Sequence, residues 1–167
     1  LTLPQAQFVL MSATLGDTEW LQEDLKRRTG REVAVVDNAE RPVPLVFSWS
    51  VDPLHDKIAE LVSTQQAPVY VVHFTQADAA RQAQSMTSLK LLNAEERERL
   101  GAEIGAFRFG PGFGKILSKL VRHGIGVHHA GMLPKYRRLV EQLAQTGLLK
   151  VICGTDTLGV GINVPIR

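Results

Sequence analysis

The residues best suited to chemistry lie near the C-terminus. An apolar run (Leu148, Leu149, Val151, Ile152) opens there into Gly154-Thr-Asp-Thr157, with further glycines at Gly159 and Gly161. A buried strand ending in such a loop presents backbone N–H groups, hydroxyls and one carboxylate at its C-terminal end, the edge at which open α/β sheets bind ligands. N–H groups and hydroxyls suit phosphate oxygens. The carboxylate of Asp156 suits a ribose hydroxyl or a metal-bound water. The combination points to a nucleotide or a nucleic-acid backbone.

Three other stretches carry residues of similar use. Gly126-Val-His-His-Ala-Gly131 puts two histidines at a strand end, before a helix that starts near Pro134. Neighbouring strand residues face opposite sides, so His128 and His129 are not expected to share a metal with Cys153, and no metal site is assigned. The helix N-terminus and Lys135, Arg137 and Arg138 suit a backbone phosphate; the plainer alternative is a solvated helix face. Phe74-Thr75-Gln76 follows an apolar strand, so Thr75 and Gln76 either face a ligand or begin a capped helix. Met11-Ser-Ala-Thr-Leu15 offers Ser12 and Thr14 to neighbouring loops, or Thr14 or Asp17 as a helix cap. Gly110-Pro-Gly-Phe-Gly-Lys115 imitates a phosphate-binding P-loop, but Phe109 stands where the first glycine belongs and Ile116 where a Ser or Thr belongs. It reads as a helix break with Gly110 as a C-cap. No nucleophile–base pair stands out.

Hydrophobic periodicity supplies the elements that must hold these residues. Strands are expected over 7–14, 32–36, 45–51, 68–75, 125–129 and 149–153. Helices are expected over 17–28, 53–65, 77 to about 92 and 134–145, with a charged helical region over 94–123 broken around 109–114. From Pro68 onward strands alternate with helices, which predicts α/β architecture with a parallel sheet. With 167 residues, 44% hydrophobic and 22% charged, the chain can build one real core. A net charge of +2 does not by itself argue for a nucleic-acid partner. The single cysteine excludes an internal disulfide framework and fits a reducing, cytoplasmic setting. No apolar run suits a membrane span. Leu1 and Arg167 as end residues fit a piece of a longer protein.

Four motifs stand in one order: Ser12-Ala13-Thr14, Val71-Val-His-Phe-Thr75, Gly126-Val-His-His-Ala-Gly131 and Gly154-Thr-Asp-Thr-Leu-Gly-Val-Gly-Ile-Asn-Val-Pro165. Together they resemble the second half of a superfamily-two DEAD/DEAH (DExH) helicase, most closely the Superkiller-like branch. The histidine loop followed by the glycine-rich loop is the specific part. The resemblance implies a RecA-like fold, with residues 1–40 ending a first RecA-like domain plus connector. Residues 41–167 would be the second RecA-like domain, with a helical insert at about 92–123 and an end before motif VI. It implies coupling roles for Ser12 and Thr14 (motif III) and nucleic-acid contacts from Thr75, Gln76, His129, Gly131 and Thr155. It implies ATP-side roles for Asp156, Gly159 and Gly161. ATP and Mg²⁺ would serve the whole helicase, with neither bound stably by this section, which lacks a Walker A loop, the acidic metal box and arginine fingers. It should be inert alone. The implied partner is single-stranded RNA or DNA, with RNA favoured, together with the missing first domain and motif VI. Rival readings are a non-enzymatic binding module with helicase-like fold, a stand-alone hydrolase using Asp156 with His128 or His129, and a structural subunit.

Overall fold

Among the described residues three short parallel strands form one sheet: β1 (Val69–Val72), β2 (Ile125–His128) and β3 (Val151–Gly154), in the order β1-β3-β2. They are seen in a computed structural model that describes residues 6–12, 16–37 and 46–156. The register pairs Val72 and His128 with Gly154 from either side, so the three strand ends lie level. The helices are α1 (Glu19–Thr29), α2 (Leu54–Ser63), α3 (Gln76–Ser85), α4 (Ala94–Ile104), α5 (Phe113–Arg122) and α6 (Pro134–Gln145). A parallel sheet flanked by helices is the α/β architecture expected from the strand–helix alternation and from a RecA-like domain.

Burial explains the strand compositions. β2 and β3 are buried at every position, as near-continuous apolar runs in a covered parallel sheet must be. The core joins Leu117, Leu120 and Val121 of α5, Val140 and Leu143 of α6, and Val127, Val151 and Ile152 of the sheet. Gly126 is needed because a Cβ there would press on Val140, Leu149 and Ile152. Helix ends follow local chemistry. Asn93 and Glu96 form a reciprocal capping box on α4. Pro134 opens α6, where its missing N–H is harmless. After α6, Gly147 takes φ +73° and Leu148 N–H returns to the Leu143 carbonyl at 3.0 Å, a Schellman ending.

Two helix expectations fail for physical reasons. The helix expected from Ala77 to about Leu92 stops at Ser85 and passes through a 3₁₀ turn (Met86–Ser88). There Ser85, Thr87 and Ser88 hydroxyls donate to carbonyls three residues back, competing with helix continuation. The break near 109–114 is also built differently. α4 ends at Gly105 and α5 starts after Gly112 (φ +67°), while Gly110 is no C-cap and donates its N–H to the Tyr136 hydroxyl at 2.9 Å.

The chain divides into two units, 1–49 and 50–167. In the first, α1 runs from Thr18 to an αL cap at Gly30, with Arg28 pairing Asp24 at 2.6 Å. Among the described residues, 7–12, 32–36 and 46–51 form no strand. Their apolar side chains, such as Val9 (77% exposed), Phe47 (90%) and Trp49 (91%), lie open. A strand-like sequence acquires strand geometry only when a neighbour completes its ladder.

Candidate nucleic-acid interface

The level C-terminal ends of β1, β3 and β2 bring three loops together. His73 N–H donates to the Gly154 carbonyl at 2.7 Å, and Thr155 N–H donates to the His128 carbonyl at 3.3 Å. Tyr70 donates its hydroxyl to the Thr155 carbonyl. Gly154 fits between them because a Cβ would strike both the His128 carbonyl oxygen and the Tyr70 hydroxyl. Gln76, the first residue of α3, packs its carboxamide on Gly131, where any side chain would collide with it. Thr75, Gln76, Gly131 and Thr155 therefore belong to one edge.

Thr75 also does local work. Its hydroxyl accepts the Asp78 N–H at 3.1 Å and donates to Asp78 Oδ2 at 2.6 Å, capping α3. That bond, helped by Arg81 and His73, holds the Asp78 carboxyl below its ordinary range. The edge is thus a fixed loop rather than a free one.

The two histidines diverge. His128 is buried, and its Nε2 lies 3.0 Å from Oε1 of Glu141 on α6, a hydrogen bond donated by the ring. His129 turns to the side of α5, its ring centroid 6.2 Å from that of Phe113. Burial, and then the neighbouring His128, push the His129 pKa down, favouring its neutral form. Nδ1 of both rings is buried with no hydrogen-bond partner. Among the described residues, no three His, Cys, Asp or Glu side chains gather as a metal-binding group. The Cys153 thiol is buried and its pKa is pushed up to about 12, so it stays protonated and unreactive.

Asp156 is exposed just past β3. Ser12 is exposed in the first unit. Thr14, Gly159 and Gly161 lie outside the described residues. Sequence reasoning passed over two residues that shape this edge and a third that packs against the loop before α5. Tyr70 is a hydroxyl-bearing residue in an aliphatic strand. Glu141 is a carboxylate beside the apolar side of α6. Tyr136 is a buried phenol flanked by cations. Each was visible only as an odd residue within an otherwise regular pattern.

Among the described residues no helix is long and apolar enough to cross a membrane. No family model matches the chain. Individual proteins do. Superkiller complex protein 2 of Mus musculus is 35% identical over 120 residues, 66% of this chain and 9% of that protein. The probable helicase HelY of Mycobacterium tuberculosis is 37% identical over 121 residues, 66% of this chain and 13% of its own length. The ATP-dependent RNA helicase mtr4 of Schizosaccharomyces pombe is 48% identical over 48 residues, 29% of this chain and 4% of that protein. The matched segment is thus only about a tenth of the length of the first two relatives.

Proposed function

The chain is homologous to the superfamily-two DExH helicases, and from that premise we propose that it is a section of an ATP-dependent RNA helicase that grips the backbone of one nucleic-acid strand. The observation that carries this reading is the single edge shared by Thr75, Gln76, Gly131 and Thr155, tied by hydrogen bonds across all three strands. Hydroxyls, a carboxamide and a glycine that lets the backbone come close are groups that bind phosphate and sugar without reading bases. Binding by such an edge is largely sequence-independent and weakens with salt. His129, whose lowered pKa favours the neutral ring, lies beside Phe113 and contributes to the loop without adding charge. The name of the mtr4 relative supports RNA over DNA.

ATP and Mg²⁺ belong to the whole helicase in this reading. When bound, they supply the phosphoryl chemistry that drives movement. The residues described here fit one part of a nucleotide: Asp156, exposed at the end of the central strand, can accept a hydrogen bond from a ribose hydroxyl. The same reading assigns Gly159 and Gly161 to the nucleotide side and gives Ser12 and Thr14 coupling roles. The Gly110–Lys115 stretch does not fit a triphosphate, because it follows α4 and not a strand, and Pro111 lacks a donor. Phosphate and metal ligands therefore come from elsewhere in the protein, and this section alone is inert.

The test is Thr155→Val in the whole helicase. It should lower RNA-stimulated ATP hydrolysis roughly tenfold, the scale of a lost phosphate contact, with the thermal melt of the protein unchanged. Full stimulation in this variant would refute the strand-binding edge.

A further inference from the structure

Residues 105–140 carry seven Lys or Arg and no Asp or Glu, while the rest of the chain is net acidic. Among the described residues no ion pair engages Arg108, Lys135 or Arg138, all three of which are exposed. Folding brings these cations to one place. Tyr136, 3% exposed, accepts the Gly110 N–H at 2.9 Å, and its ring packs against Phe107, Phe109 and Phe113 at centroid distances of 6.1, 6.3 and 6.4 Å. Gly114 lies so close that a Cβ would strike the Tyr136 hydroxyl. The loop 105–112 is therefore latched onto the first turn of α6. Lys135 Nζ sits 5.0 Å over the Tyr136 ring and 3.5 Å from the Arg108 carbonyl oxygen, which sets Arg108 beside Lys135. Arg138, three residues along the helix, shares a face with Lys135.

Stability alone does not call for this arrangement. α5 and α6 have no acidic residue in their first turns, and Lys135, Arg137 and Arg138 stand at the positive end of the α6 dipole, where carboxylates are favoured. Two polar atoms in the same region, His129 Nδ1 and Arg137 Nε, are buried without a hydrogen-bond partner. His129 is 8% exposed and its ring neighbours Phe113, the first residue of α5. Local rules broken together, with no carboxylate among the described residues paired to these cations, mark a site built for a ligand, and its charge makes that ligand an anion.

We propose that loop 105–112 is a second jaw of the strand site: latched by Tyr136, it aligns Arg108 with Lys135 and Arg138 to bind successive phosphates of a single RNA strand where it leaves the sheet edge. This rests on the strand-binding reading above and extends it to a surface on the helical insert.

The experiment uses the 167-residue chain and a fluorescent single-stranded uridine oligomer, read by anisotropy between about 50 and 200 mM KCl. Arg108→Ala with Lys135→Ala should weaken binding roughly tenfold. It should also flatten the slope of log affinity against log salt by about 1.4, since each phosphate contact on a single strand contributes about 0.7. Arg108→Lys with Lys135→Arg keeps both charges and should restore the slope. Tyr136→Phe removes no charge and should weaken binding about threefold by freeing the Gly110 N–H. Wild-type affinity and slope in the double alanine variant overturn the second jaw while the strand site stands. No binding by the unaltered chain overturns the strand site itself and the jaw with it. Displacement of the RNA by poly-glutamate at equal charge concentration overturns RNA as the occupant.

Discussion

Glu96 joins the helical insert to Lys150, the residue before the central strand, and its removal has a calculable effect. Its backbone N–H donates to Asn93 Oδ1 at 2.8 Å and its Oε2 accepts the Asn93 N–H at 3.0 Å, while Oε1 meets Lys150 Nζ at 2.5 Å. The two charged side chains are 26% and 18% exposed, so water screens the pair only partly. The capping bond contributes about 1 kcal/mol, and a charge-assisted bond at this depth about 1.5 kcal/mol after desolvation. Glu96→Ala should then destabilise the second unit by about 2.5 kcal/mol, and Glu96→Gln, which keeps a capping oxygen, by about 1.5 kcal/mol. The Lys150 hydrogen bond, followed by the Asn93 bond and the nearby charges, holds the Glu96 pKa below its ordinary 4.5. A depressed folded pKa means that the stabilisation is fully present above the unfolded value of about 4.5 and is lost as pH falls through the folded value. The gap between wild type and Glu96→Gln should therefore be constant above about pH 5.5 and close on acidification below it. Both tryptophans, Trp20 and Trp49, lie in the first unit, whereas Tyr70 and Tyr136 lie in the second. Urea titrations should accordingly be followed by tyrosine near-UV dichroism rather than tryptophan emission. Equal midpoints for wild type and Glu96→Gln at neutral pH, or a gap that persists in acid, would refute the reasoning.

Two further outcomes follow from the strand ends. Gly154→Ala forces a methyl group against a backbone oxygen and a phenol that cannot both retreat, so it should destabilise by about 3 kcal/mol, the upper range for overpacking; a urea midpoint near wild type would contradict the tight crossing. Cys153, buried with its pKa pushed up to about 12, should resist an alkylating reagent at about pH 8 in the native chain and react fully in urea, so rapid native labelling would show that the strand opens.

Much of the sheet could be read from the residues. The strands expected over 68–75, 125–129 and 149–153 became β1, β2 and β3 with ends shifted by up to three residues, and the glycine and proline signals around α6 fell where capping chemistry puts them. What failed was the inference from apolar pattern to strand in 7–12, 32–36 and 46–51. Pattern states what a segment would bury, and it does not supply the neighbour. The latch on Tyr136 was illegible for a related reason. Phe107, Phe109 and Phe113 announce an aromatic cluster, but their partner lies more than twenty residues away and carries no local mark. The edge residues Thr75, Gln76, Gly131 and Thr155 were recognisable as motifs, whereas their mutual locking through Tyr70 and Gly154 depended on register.

The strand order β1-β3-β2 also sets the sequence of events at the ribosome. Translation proceeds from the N-terminus, so among the described strands β1 and β2 emerge first and must wait for β3, which lies between them and is the last of the three to be made. Until residue 154 is free, neither has its native hydrogen-bonding companion, and the nascent polypeptide exposes sticky aliphatic segments. Chaperone dependence during synthesis should therefore be greatest for products arrested before Val151, which ribosome-bound truncations compared in a chaperone pull-down would check.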